Sequence, residues 1–327
     1  MRKINVLSLA DGISTGQVAL RRVGIDYGWY FASEIDPYCI KVAKHHFPAT
    51  FQIGDLTKVD ANKLFAIPDL IISGTPCQSF SNAGDGTGFK GKSGLFWEFV
   101  RVLMQVKKIN PDVKFLFENV PMKKIWRDAI SVALGVRPIM IDAALVSAQS
   151  RPRWFWTNIE GITQPEDRGI LLKDILEIDV PTSYWHTYDA LKYMNRKSNN
   201  GKDHWGHASD SAKDKSVCVT AVFHKGVPYN VLIDRDKSYA ITGTYNNAHP
   251  SDYLERRKRQ HIMTYDGLIR KLTPTECCRL QSMPDDYLDV PGISLTQKYK
   301  MIGNGWNADV IAHILSFYKV TLQDEKD

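Results

Sequence analysis

An α/β fold is predicted for the 327-residue chain: a doubly wound, mostly parallel sheet followed by a second, smaller, irregular β-containing domain. Strand-like apolar runs alternate with helical stretches through the first half, the pattern of βαβ units. Acidic or glycine-rich residues stand behind several of those runs, where open sheets place their ligands. Past Gln164 the periodicity fades into Asn, Asp, Lys, Gly and isolated aromatic residues, as far as Arg270.

Ile4 to Leu9 reads as the first strand, Gln17 to Val23 as a helix, and Trp29 to Ser33 as the second strand. Pro37 to His46 reads as a helix and Phe51 to Gly54 as a third strand. Leu70 to Ser73 and Phe115 to Glu118 continue the sheet, with Leu95 to Lys107 an amphipathic helix between them. Ile139 to Ile141 and Trp154 to Thr157 are shorter strands, and Val217 to Phe223 and Ser238 to Thr242 are β runs of the irregular part. Thr273 as N-cap, Pro274 at the first helical position and Glu276 three residues after the cap spell a helix start. Ala308 to Val320 reads as a helix returning to the α/β domain. The expected domains are 1–163, 164–270 and a C-terminal segment 271–327.

Composition bounds the function. With 43% hydrophobic and 24% charged residues the chain has enough apolar content for a large core. No apolar run approaches the roughly 18 residues of a membrane span. Met1-Arg2-Lys3 leads straight into Ile4 with Asp11 close behind, which leaves no room for a signal-peptide core, so a cytoplasmic protein without a membrane partner is expected. Five cysteines, Cys39, Cys77, Cys218, Cys277 and Cys278, show neither a paired spacing for zinc nor an even count for disulfides, so no metal is expected. A net charge of +6 permits a polyanionic partner. Arg256-Arg257-Lys258-Arg259 is a compact basic run, more often a solvated face than a phosphate contact.

Pro76-Cys77-Gln78 follows the strand ending at Ser73 through Gly74-Thr75, which puts the Cys77 thiol at a strand's carboxyl end. Glu118, ahead of Asn119-Val120, closes another strand, so the pair reads as a cysteine nucleophile beside a carboxylic acid. Asp11-Gly12-Ile13-Ser14-Thr15-Gly16 joins the first strand to the first helix, where glycines let a ligand approach the backbone. Glu34 ends the second strand, where such folds hold ribose hydroxyls, and Asp55 follows the third, where it would accept from an adenine amino group or cap a helix. The turn after the first strand holds no phosphate-cradling Gly-Lys-Ser or Gly-Lys-Thr, the Gly-Lys-Ser at Gly91-Lys92-Ser93 standing well past the strand that ends at Ser73, and Asp11 would repel a pyrophosphate. An adenosine ligand without phosphates fits better, and S-adenosyl-L-methionine, a sulfonium cation, is the obvious one.

These residues resemble the DNA cytosine C5-methyltransferase family over nearly the whole chain. The likeness is carried in the family's order by Asp11-Gly12 with Thr15-Gly16, Glu34, Asp55, Pro76-Cys77-Gln78, Glu118-Asn119-Val120, Gln149-Ser150-Arg151-Pro152-Arg153, Arg270 to Glu276, Arg279-Leu280-Gln281 and Ile302-Gly303-Asn304-Gly305. The first third is similar to the catalytic domain of the animal de novo enzymes, notably Asp11-Gly12-Ile13 and Gly94-Leu95-Phe96-Trp97-Glu98-Phe99.

The resemblance implies a Rossmann-like S-adenosylmethionine-dependent methyltransferase acting on double-stranded DNA. It assigns 1–163 to catalysis and cofactor binding and 164–270 to target recognition. Cys77 would add to C6 of a flipped-out cytosine, Glu118 would hold its N3 and amine, and Arg151 and Arg153, two apart on one short strand, would steady the base and the thiolate. Asp11, Gly12, Ile13, Thr15, Gly16, Glu34, Ile35, Asp55, Leu56, Pro76, Leu95, Asn304 and Trp306 would bind the cofactor. Gln78, Ser79, Asn119, Gln149 and Thr242 would meet the DNA, and the glycine-rich stretch from Ser79 to Ser93 would close behind the base. The chain departs from the family at Ala10, where a Phe ring usually packs on the adenosine. A cognate restriction endonuclease is the expected partner if the chain does not stand alone. A transfer-RNA cytosine methyltransferase of the same build and a silent DNA-binding homologue are the rival readings.

Overall fold

The computed structural model describes residues 3–75, 94–185, 218–220, 238–242, 262–263 and 269–324. They fall into two compact units. The first comprises Met1–Asp142, Pro152–Pro165 and Ala308–Asp327, and the second Ala143–Arg151 and Glu166–Asn307. Residues 271–307 thus group with the second unit, and only from Ala308 does the chain rejoin the first.

The first unit is built on a seven-stranded sheet, β1 (Ile4–Leu9), β2 (Tyr27–Ser33), β3 (Phe51–Gln52), β4 (Leu70–Ser73), β5 (Lys114–Asn119), β6 (Ile139–Asp142) and β8 (Pro152–Thr157), in the order β3-β2-β1-β4-β5-β8-β6. The first five of that order are parallel neighbours, and β8 runs antiparallel to both β5 and β6. β1 and β4 are buried on both faces, which is why they read as near-continuous apolar runs. The order reverses direction at β1 and β4, the switch point at whose carboxyl ends doubly wound folds bind ligands.

The helices of this unit are α1 (Thr15–Val23), α2 (Pro37–His46), α3 (Leu95–Ile109), α4 (Lys124–Leu134) and α7 (Ala308–Asp324). α2 starts where its residues dictate: Asp36 accepts from the Tyr38 N–H at 3.0 Å and Pro37 takes the first turn. α3 buries Phe96, Phe99, Val102, Leu103 and Val106, a helical stripe that packs with Phe115, Phe117 and Trp156. Each such fully buried side chain contributes roughly 1.5–3 kcal/mol.

In the second unit the described strands are β7 (Gln149–Ser150), β9 (Cys218–Thr220) and β10 (Ser238–Thr242), forming a parallel sheet β7-β10-β9, and the pair β11 (Ile262–Met263) and β12 (Ile269–Arg270). Its helices are α5 (Pro274–Leu280) and α6 (Leu295–Asn304). α5 carries the expected capping box, with Thr273 accepting from the Glu276 N–H at 3.1 Å and Glu276 accepting from the Thr273 N–H at 2.8 Å.

Two expectations change. The third strand stops at Gln52, because Gly54 adopts φ +76° and turns the chain. Arg151 and Arg153 do not share one strand: Arg151 lies between β7, which ends at Ser150, and β8, which begins at Pro152, and the two strands join different sheets. The helices α4 and α6 were not anticipated.

Candidate active site

The turn after β1 is the most constrained stretch of the first unit. Ala10, Gly12 and Ser14 adopt φ +57°, +60° and +58°, a left-handed region that residues with a Cβ seldom occupy. Gly12 has nothing within 4 Å of where a Cβ would stand, so open space lies over the turn. Gly16 is the opposite case: its Cβ would come within 2.3 Å of Ile72 Cδ1 and 2.9 Å of the Tyr30 hydroxyl. Ile13 and Thr15 are buried, and Ala10 is half-buried.

Asp11 is turned inward. The Tyr30 hydroxyl donates to Asp11 Oδ1 at 2.8 Å and the Ser14 hydroxyl donates to Oδ2. Burial pushes its carboxyl up to about 6, against those hydroxyl donors, with the charge of Glu34 adding to the rise. Glu34 faces the turn from β2. Its Oε2 accepts the Gly12 N–H at 2.8 Å, and its Oε1 accepts those of Ile35 and Asp36 at 2.7 and 2.8 Å. A carboxylate offers about four lone-pair sites, so capacity remains for hydroxyls of a bound molecule. Ile35 beside it is 73% exposed.

Asp55 caps the short 3-10 turn Leu56–Lys58: Oδ1 takes the N–H and hydroxyl of Thr57, both at 2.9 Å, and these bonds hold its carboxyl below the usual range. Its Oδ2 has no described partner and can accept from an amino group. Arg101 of α3 secures that turn, donating to the carbonyls of Val59 at 2.7 Å and Leu56 at 3.3 Å while paired to Glu98 at 2.7 Å. Leu95 opens α3. Acids for hydroxyls and an amino group, with open space over Gly12 among the described residues, together suit an adenosine-bearing cation.

At the neighbouring strand ends, Glu118 of β5 and Arg153 of β8 form an ion pair, Nε to Oε1 at 2.9 Å, with side chains 11% and 12% exposed. Asn119 is buried, donating to the Thr75 carbonyl at 3.4 Å and accepting from the Val120 N–H at 2.9 Å. Thr75, at the exit of β4, is 3% exposed and its hydroxyl has no partner among the described residues. Pro76, Cys77, Gln78 and Ser79, with the rest of the glycine-rich stretch, lie outside the described residues, as do the basic run 256–259 and most of 186–268.

In the second unit, Gln149 is fully buried and donates to the Leu280 carbonyl at 2.9 Å and to Gln281 Oε1 at 3.1 Å. Arg151 donates to the carbonyls of Gly305 at 2.8 Å and Gly303 at 3.3 Å, and Gln281 to those of Ile302 and Gly305 at 2.9 and 3.2 Å. These bonds fix the segment that carries Asn304 and Trp306. Thr242 ends β10. Cys277 and Cys278 are buried, which pushes the first thiol well up and the second to about 12, so both are inert at neutral pH. Sequence reasoning passed over Tyr30, Ser14 and Arg101. The Glu98-to-Arg101 spacing was a usable signal for the last, whereas Tyr30 is tied to Asp11 across strands, which no local period reports.

The family model for C-5 cytosine-specific DNA methylases matches residues 4–319. The orphan methyltransferase M.SPRI of Bacillus phage SPR is 42% identical over 123 residues, 37% of this chain and 27% of that protein. The type II methyltransferase M1.ScrFI of Lactococcus lactis subsp. cremoris is 28% identical over 304 residues, 84% of this chain and 67% of that protein. The matches to the phage proteins M.SPRI and M.Rho11sI thus span about a quarter of their length. Among solved structures, the Dnmt2 methyltransferase of S. pombe superposes with TM-score 0.70 at 18% identity, over 98% of this chain and 99% of that one. The Entamoeba histolytica methyltransferase EhMeth does so with TM-score 0.68 at 16% identity, over 98% and 99%. At those identities the likeness is one of fold, a Rossmann-like methyltransferase fold. With the family model matched from the first strand to the last helix, the chain belongs to the C-5 cytosine-specific DNA methylase family.

Proposed function

We propose that this protein methylates C5 of cytosine in duplex DNA at a short sequence, using S-adenosyl-L-methionine, with Cys77 as nucleophile. The observation that carries the reading is the Glu118–Arg153 pair at the sheet's carboxyl edge, on the strand next to the one that leads into Cys77. C5 of cytosine is a poor nucleophile until a thiolate adds to C6, and a flipped base exposes both atoms. The Cys77 sulfur forms a bond to C6, and the electron pair of the C5–C6 double bond moves toward C5. Glu118, oriented by Arg153, binds N3 and the exocyclic amine and offsets charge on the ring as the adduct forms.

When bound, S-adenosylmethionine would supply an electrophilic methyl carbon for C5, its sulfonium becoming the thioether of S-adenosylhomocysteine. Loss of the C5 proton to a base and return of the C6–S electron pair to Cys77 then release 5-methylcytosine. We assign Asp11, Gly12, Ile13, Thr15, Gly16, Glu34, Ile35, Asp55, Leu56, Pro76, Leu95, Asn304 and Trp306 to the cofactor. Arg151 steadies the site through the 303–305 carbonyls it binds. Gln78, Ser79, Asn119, Gln149 and Thr242 serve the DNA side, and the second unit reads the target. The type II relative supports a partner endonuclease cutting the same site, and the orphan relatives support solitary action. Either role places the protein in the cytoplasm, at the nucleoid.

Tritium transfer from labelled cofactor to duplex DNA, with transfer RNA as the parallel substrate, tests the reading. Label is expected in DNA alone, and label confined to RNA would overturn the DNA assignment. Cys77→Ser is expected to abolish both transfer, by on the order of 10³-fold or more, and the covalent adduct with 5-fluorocytosine DNA. An adduct that survives the substitution removes Cys77 from its role. Bisulfite sequencing of DNA from expressing cells then gives the target.

A further inference from the structure

We infer that Asp11 and Tyr30 are positioning residues that hold the turn after β1 in its left-handed conformation for the cofactor, with Asp11 kept there at the expense of fold stability. The inference rests on the reading that this turn holds S-adenosylmethionine. Two of the three left-handed residues, Ala10 and Ser14, carry a Cβ, so the conformation persists only where its surroundings fix it.

The fastening is built around one carboxylate. Asp11 Oδ2 accepts from the Ser14 hydroxyl, which pins the left-handed residue just ahead of α1. Asp11 Oδ1 accepts from Tyr30 at 2.8 Å, which ties the turn to β2. The Ser14 oxygen accepts in turn from Gln17 Nε2 at 3.1 Å. That same nitrogen donates to Thr50 at 2.8 Å, and Gln17 Oε1 accepts from Tyr27 at 2.7 Å. On the other side Glu34 takes the Gly12 N–H, so the acid that would meet the ribose and the acid beneath the turn grip Gly12 and Ser14, two residues apart.

No cation bonds Asp11 among the described residues. Its donors are hydroxyls, its burial is nearly complete, and the nearest charge is the like charge of Glu34. Burial disfavours its ionised form, and a neutral side chain would suit the interior better. An anion nonetheless has one property a neutral amide lacks: both its oxygens accept, so it satisfies two hydroxyl donors at once. Two hydroxyls converge here, from Ser14 and Tyr30.

The test pairs thermal unfolding of the free protein with calorimetric titration of S-adenosylmethionine, on the full chain and on Asp11→Asn and Tyr30→Phe. Asp11→Asn is expected to raise the unfolding temperature by about 2 °C or more. It is also expected to weaken cofactor binding by roughly tenfold, the size of one charge-assisted hydrogen bond. Tyr30→Phe, which strips a donor from the buried anion, is expected to lower the unfolding temperature and to weaken binding as well. In steady-state assays the rise in KM for the cofactor exceeds the fall in kcat for both. A loss of affinity below about threefold in Asp11→Asn, or an unfolding temperature that fails to rise, overturns the inference by reducing Asp11 to an ordinary structural residue. A wild-type protein that binds no S-adenosylmethionine fails the cofactor reading itself, and this arm is scored before any variant.

Discussion

Asp11 in the first unit and Glu276 in the second are both buried carboxylates, 8% and 0% exposed, and they are held by opposite means. Glu276 receives the Arg270 guanidinium fork at 2.7 and 2.8 Å, the Thr273 N–H at 2.8 Å and the Glu177 N–H at 2.9 Å. Every site on its carboxylate is filled and a full positive charge faces it, so it clamps β12 and the segment at Glu177 to the start of α5. Asp11 has hydroxyls for donors and no opposite charge bonded to it among the described residues. A buried acid satisfied like Glu276 belongs to the scaffold, whereas one left like Asp11 in a strained turn marks a place where ligand binding outweighs stability.

The largest expected effect breaks the clamp. Glu276→Ala strands the Arg270 charge in the interior and should cost about 3–5 kcal/mol in urea unfolding. A loss under about 1 kcal/mol would mean that solvent reaches the pair and that the contrast with Asp11 is empty.

Next comes the pH dependence, whose sign follows from linkage. The folded protein's Asp11 carboxyl titrates near about 6 and the unfolded one near 3.8, so between those values the folded state binds more protons. Stability from this group is therefore greatest below the unfolded value, falls as pH rises through that window, and is flat above it. Tyr27, Tyr30 and Glu34 are the titratable groups that share its surroundings, and none is cationic. Relative to Asp11→Asn, the wild type should lose roughly 2 kcal/mol from pH ~4 to pH ~6. A difference that does not change across the window would show the acid to be solvated.

Thr273→Ala gives the smallest effect. It removes the N-cap acceptor and the bond to Glu177 yet leaves the Arg270–Glu276 fork, so about 1 kcal/mol is expected in the same unfolding experiment. A loss as large as that of Glu276→Ala would place the strength of the joint in the cap and not in the charges.

Much of this was legible in the residues. Ile4–Leu9, Pro37–His46 and Leu70–Ser73 have the boundaries that period and caps dictate, and Thr273-Pro274-Thr275-Glu276 announced its capping box. Glu118 and Arg153, singled out as residue types, lie in contact on adjacent strands. α4 escaped notice because its N-cap, Lys123, offers no side-chain acceptor, and α6 because Ser294 is followed by a mixed polar run. Arg151 falls in the break between two strands of different sheets while Arg153 sits within β8, a separation that their spacing of two does not report. The Asp11–Tyr30 bond was beyond reach because a contact from the turn after β1 to β2 depends on the register of the two paired strands, which no sequence period encodes.

Gly12 and Gly16 flank this turn and would answer saturation mutagenesis in different ways. Position 12 is limited by backbone dihedral alone, so asparagine and aspartate, which tolerate left-handed geometry, should be its best-accepted replacements. Position 16 is limited by volume, with Ile72 and Tyr30 already filling the room a methyl group would need, so even alanine should be rejected there. A survivor at residue 16 would be expected to carry a compensating truncation at Ile72.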